Sequence, residues 1–169
     1  MWTGTWALVW GGCDELTDCE QAARVDEPEL VVGWGEDTFE RALEEGESVQ
    51  VVSGSQGGQH VWLAVSTRGL APGNRGPLLF SDKEVPTFLA EAIGADDGVV
   101  YASQGWNYFA MDGEPDQATL ALGSFVVSDL DRAAYDQELV LRVTGSDVCG
   151  NEVVGEVAIT LEGVYLPSY

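Results

Sequence analysis

Positive charge is scarce in this sequence. Seven Lys and Arg face 29 Asp and Glu, a formal net charge of −22, with one lysine (Lys83) and one histidine (His60). Such a surface repels a phosphate backbone, so nucleic acid is excluded as a partner. An anionic lipid surface is disfavoured for the same reason. Cations, basic proteins and neutral ligands such as glycans remain, and mutual repulsion between copies makes a monomer the expected state. Cysteine is also scarce: Cys13, Cys19 and Cys149 are the only three, no two of them form a CxxC pair, and one His is too few for a Cys/His zinc site. Catalytic signatures are missing as well. There is no GxSxG elbow, no GxGxxG and no P-loop, and any His-assisted nucleophile would have to use His60. With so many acids, paired carboxylates carry no weight for a glycosidase. A non-enzyme is expected.

No long hydrophobic run is present. The uncharged opening stretch, with Trp2, Trp6, Ala7, Leu8, Val9 and Trp10, falls short of the roughly 20 residues that cross a bilayer. It leads into Gly11-Gly12-Cys13-Asp14, small residues ending in Cys, which resembles a bacterial lipoprotein cleavage site. On that resemblance, residues 1–12 are a signal-like segment that is removed, and Cys13 becomes the lipidated N-terminus. The alternative reading of the same stretch is a first β-strand with alternating faces. If Cys13 carries lipid, Cys19 and Cys149 are left as an even pair that an oxidising compartment would bridge. Two unrelated buried thiols are the competing reading.

Residues 13–28 are polar and acidic and read as a tether ending at Pro28. From residue 29 to about 163, short period-two runs recur between Gly, Asp, Asn and Pro signals. Leu30, Val32 and Trp34 alternate, as do Val49 and Val51; Val61, Leu63 and Val65; Leu139, Leu141 and Val143; and Val153, Val157, Ile159 and Leu161. Leu120, Leu122 and Val126 are expected on one face of a long strand. Val99 to Ala102 and Asn107 to Met111 are expected to flank a turn at Gln104-Gly105. This alternation hides one row in a core and leaves the other outside. The predicted fold is all-β, an immunoglobulin-like β-sandwich of about seven to nine antiparallel strands with at most one or two short helices. Asp37 to Glu45 is expected as a loop or single turn. Pro86 to Ile93, with Pro first and Gly94 following, is expected as a short helix. Cys149 is placed at the tip of a last hairpin, and residues 164–169 form a tail.

The segments Val31-Val32-Gly33-Trp34-Gly35-Glu36-Asp37-Thr38-Phe39, Gly46-Glu47-Ser48-Val49 and Gly54-Ser55-Gln56-Gly57-Gly58-Gln59-His60-Val61-Trp62 resemble a group of predicted lipoproteins of myxobacterial type. Those have a GC-D start, an acidic tether, a GxGE…F segment and a GxQGGxHxW segment. This chain has Trp34 between the two glycines. The resemblance runs from about Gly12 to Leu70. It implies export and a β-sandwich, and it implies no activity.

Three candidate sites remain. The acidic turns offer loop carboxylates suited to Ca²⁺, which takes six to eight oxygens: Asp96 and Asp97; Asp112, Glu114 and Asp116; Asp129 and Asp131 with Asp136. Solvated turns are the plainer reading. Trp106 and Tyr108 are placed for a glycan or peptide platform, with core packing as the alternative. His60 and Trp62 share a strand face and are candidate ligand contacts, although a turn-adjacent His bonded to a backbone carbonyl is the commoner arrangement. The expected protein is an exported, lipid-anchored, non-catalytic component of a bacterial cell envelope (periplasm or outer membrane). Its role is interaction or structure, with a protein or glycan ligand. The alternative is a calcium-dependent adhesion or glycan-binding module.

Overall fold

The computed structural model describes residues 17–53, 58–73, 85–107, 109–127, 135 and 137–163. Among these residues, the short helix α1 (Asp18–Ala22) precedes eleven strands. These are β1 (Glu29–Trp34), β2 (Arg41–Ala42), β3 (Glu47–Gln50), β4 (Val52–Ser53), β5 (Gln59–Arg68), β6 (Thr87–Gly94), β7 (Val100–Trp106), β8 (Asp112–Glu114), β9 (Gln117–Val126), β10 (Glu138–Ser146) and β11 (Glu152–Glu162). They form two sheets. The first has the order β2-β1-β5-β9-β8, with β4 also paired to β5; the second has the order β3-β11-β10-β6-β7. The fold is an all-β sandwich. The strand count exceeds the expected seven to nine because β2, β3, β4 and β8 are pieces of two to four residues. One pairing, β3 with β11, is parallel rather than antiparallel.

The core lies between the inner rows of the two sheets. Leu30 and Val32 of β1, Val61, Leu63 and Val65 of β5, and Phe125 of β9 pack in one cluster with Phe88, Ala90 and Ala92 of β6, Leu139, Leu141 and Val143 of β10, and Val157 and Ile159 of β11. Each Val, Leu, Ile or Phe so hidden contributes about 1.5–3 kcal/mol by transfer from water.

Four sequence expectations change. Pro86 to Ile93 is not a helix. Thr87–Gly94 is strand β6, paired to β10 on one side and β7 on the other. Its Leu, Ala and Glu favour helix, but Phe88, Ala90 and Ala92 also fall at every second position, and two partner strands outweigh the weak local preference. Gln104-Gly105 is not a turn, since β7 runs straight through it. The Gln104 side chain donates to the Ser124 carbonyl at 3.0 Å and accepts from the Val126 N–H at 3.0 Å. Both groups lie on the side of β9 away from β5, past the end of the short β8. The amide thus stands in for a missing strand.

Leu122 and Val126 do not share a face. Register skips a residue opposite Leu63/Ala64, so Leu63 pairs with Gly123 and Ala64 with Ala121. Gly123 sits at φ +85°, a left-handed conformation that glycine adopts freely. The extra residue reverses the alternation, turning Phe125 and Val127 inward and leaving Val126 48% exposed. Finally, part of the acidic tether is structured. Thr17 caps α1, its hydroxyl accepting from the Glu20 N–H while the Glu20 carboxylate accepts from the Thr17 N–H, and Ala22 is buried. Asp37 to Glu45 is loop apart from the two residues of β2.

β2 and β3 are tied by a forked ion pair. Arg41 Nη1 donates to Glu47 Oε2 at 2.9 Å, and Nη2 donates to Oε1. The Glu44 N–H also donates to Glu47 Oε2 at 2.9 Å. The Arg41 guanidinium, then the Glu44 N–H, hold the Glu47 carboxyl below its ordinary value of 4.5. A depressed folded-state pKa contributes stability above the unfolded pKa, and that stability is lost as pH falls through the folded value. Glu47→Gln is therefore expected to cost up to about 1 kcal/mol at pH 7, discounted for the exposure of Arg41. Urea unfolding of both proteins from pH 7 to pH 3 should show the difference closing below the ordinary carboxylate range.

Candidate functional site

Two places gather the residues singled out by sequence. The first is the tip of the β10–β11 hairpin. Cys149 is bonded there to Cys19 of α1, with the two Cα atoms 5.5 Å apart at a sequence separation of 130. Asp147 builds the tip. Its Oδ1 accepts from the Cys149 and Asn151 N–H groups, each at 2.9 Å, while Oδ2 accepts from Asn151 Nδ2 at 2.9 Å. Oδ2 also accepts from the Ala71 N–H at 2.8 Å, which fastens the tip to the chain leaving β5. Asp147 was not singled out beforehand. An Asp opening a turn that ends in Gly150-Asn151 is the signal that would have found it. Beside this tip an open cleft of about 440 Å³ lies between α1 and β8, lined by Asp18, Pro72, Gly73, Met111, Gly113 and Glu114.

The second place is the outer face of the first sheet. His60 and Trp62 both point there from β5, since Val61, Leu63 and Val65 take the inner row. Their rings meet edge to face, with centroids 4.6 Å apart and planes at 79°. His60 Nε2 is buried and has no hydrogen-bond partner among the described residues. Val52 and Val126 are the register partners of His60, and Ser124 that of Trp62. Further along the same face, β1 brings Gly33 opposite Ala64. A Cβ on Gly33 would lie 2.3 Å from Phe39 Cε2, so the Phe39 ring rests directly on this glycine. Phe39, Trp62 and His60 thus line one sheet face over a floor of small residues. Parts of two of the three sequence segments that carried the resemblance, the one ending at Phe39 and the one ending at Trp62, meet here. Phe39 was not proposed as a contact, and only the β1–β5 register brings it near Trp62.

The remaining candidates do not join these places. Trp106 is not an exposed platform. It is 9% exposed and packs in the core, its ring centroid 6.3 Å from that of Phe125. It falls on the inner row of β7, where an indole hides a large apolar area. Asp112, Glu114 and Asp116 are exposed along β8 and the turn that follows it. Among the described residues no group of three or more His, Cys, Asp or Glu side chains is arranged to hold a metal ion. Asp97 serves its own turn, accepting from the Val99 N–H at 2.9 Å and the Tyr101 hydroxyl at 2.8 Å. These bonds, the backbone one foremost, hold its carboxyl below the usual range. Cys13, Tyr108, Asp129 and Asp131 lie outside the described residues.

Closing a loop of this length is worth roughly 4–5 kcal/mol by the chain-entropy argument, with measured values often lower. Cys19→Ser with Cys149→Ser is expected to lower unfolding free energy by about 2–5 kcal/mol, read from urea curves. A reductant should reproduce the loss in the natural protein and leave the double variant unchanged. No protein-family model and no curated protein sequence matches this chain.

Proposed function

We propose that the protein is an exported, lipid-anchored, non-catalytic β-sandwich of immunoglobulin-like type that serves interaction or structure in a bacterial cell envelope. The observation that carries this reading is the Cys19–Cys149 disulfide. A bridge of this kind belongs to an oxidising compartment. It also fastens the chain six residues after Cys13 to the sandwich itself. A lipid on Cys13 would then hold the hairpin tip and α1 close to the membrane surface and turn the rest of the sandwich outward. The net charge of −22 supports the outward orientation, because anionic headgroups repel such a body. The immunoglobulin-like assignment is supported by two facing sheets and by the hairpins β6–β7 and β10–β11 joined through β6 and β10. Mass spectrometry of the membrane-extracted protein is expected to show a chain beginning at diacylglyceryl-Cys13, with globomycin causing the unprocessed form to accumulate. An exported protein that retains Met1 removes the anchor from the proposal.

A second reading, an adhesion or glycan-binding module, is supported by the Phe39–Trp62–His60 face. Aromatic faces with polar neighbours stack against sugar rings. If binding is calcium-dependent, the carboxylates of Asp112, Glu114 and Asp116 with Asp129 and Asp131 are the ligands to test. A site filled at 100 times its Kd adds about 2.7 kcal/mol. Thermal unfolding with and without millimolar Ca²⁺ is then expected to show a rise in Tm of several degrees. No rise excludes a tight calcium site.

A further inference from the structure

Four strands stand at the ends of the two strand orders, β2 and β8 in the first and β3 and β7 in the second, while the two-residue β4 pairs with β5 alone. Three are short, with two, three and four residues. Short edges offer few backbone groups to another chain, a usual way of protecting a sheet. The fourth, β7, has seven residues, Val100-Tyr101-Ala102-Ser103-Gln104-Gly105-Trp106. It contains no charge and no proline, the two other common guards. Among the described residues no strand pairs with its outer side. The surface beside it is partly apolar. Ser103 and Gly105 are exposed; Val99 and Val100 are 48% and 49% exposed, and Leu89, the register partner of Gly105, is 43% exposed. A Cβ on Gly105 would meet nothing closer than the Phe88 carbonyl oxygen at 3.7 Å. A neighbouring side chain can therefore lie across Gly105 and reach Leu89.

We propose that the open edge of β7 receives an extended segment of a basic protein partner as a sixth strand of the second sheet. Main-chain hydrogen bonds would supply affinity, as in other strand additions. The body that presents the edge is acidic. Glu91 flanks Ser103 on β6, Asp96 and Asp97 lie in the β6–β7 turn, and the whole chain carries −22. A Lys- or Arg-bearing strand is steered to such a surface, whereas a second copy of this chain is repelled. This deepens the interaction half of the function proposed above and rests on it. Its failure leaves the lipid test on Cys13 untouched, so the two can fail separately.

The test uses the natural, disulfide-intact protein and a ten-residue probe peptide alternating Val or Thr with Lys, followed by amide NMR. The expected result is saturable shift changes confined to β7 and β6, weakened by added salt. N-methylation of alternate probe amides should weaken binding about tenfold or more. Ser103→Lys, an exposed change that places a guard charge on the edge, should do likewise. If that variant fails to fold, the N-methylated probe decides alone. Three outcomes overturn the proposal: no binding at millimolar peptide, shifts that map elsewhere on the acidic surface, or equal binding by the N-methylated peptide. Dimerisation of the protein alone through β7 at high salt also overturns it, because the occupant is then a second copy.

Discussion

Two apolar rows facing each other across the sandwich are the constraint on which the rest of the molecule depends. Val61, Leu63 and Val65 on one sheet and Leu139, Leu141 and Val143 on the other are all within 1% of complete burial. Because side chains in a strand alternate strictly, burying these rows also determines which residues must stand outside. His60 and Trp62 are outside because Val61 is inside. Leu89 is outside because Phe88 and Ala90 are inside. The chemistry of the outer faces is therefore a by-product of the core register, and the reversal at Gly123 is what brings Val126 up beside His60.

The acid excess acts against this core. Self-repulsion at a net charge of −22 destabilises a compact state, and few cations are present to offset it. Arg41 and Arg142 are each paired with a carboxylate, the latter with Glu156 at 2.5 Å, but pairs this exposed contribute little. The disulfide and the Asp147 turn supply a covalent and hydrogen-bonded restraint that electrostatics does not. They are also placed where the chain leaves the proposed anchor, so on that proposal the same linkage would serve both stability and attachment.

The outer surfaces divide into distinct chemistries. The first sheet presents aromatic rings over small residues, with a buried imidazole nitrogen that has no partner among the described residues. The second presents Leu89 and Val154 either side of the half-buried Thr144, and ends in an uncharged edge. On the proposed function, these are the faces that would meet another molecule.

Period-two alternation along the chain was enough to establish by itself that this protein is built of strands, which residues of β1, β5, β10 and β11 turn toward its core, and that Cys149 belongs to a hairpin. Alternation is a local property written into every strand. The opposite failure at Thr87–Gly94 shows its limit, since Phe88, Ala90 and Ala92 alternate there while Leu, Ala and Glu argue for helix, and only pairing with β7 and β10 resolves the conflict. The bulge at Gly123, the inward reach of Gln104, the burial of Trp106 and the meeting of Phe39 with Gly33 were all decided by tertiary structure. Each depends on which strand lies alongside, and strand neighbours tens of residues apart leave no periodic trace in either segment alone.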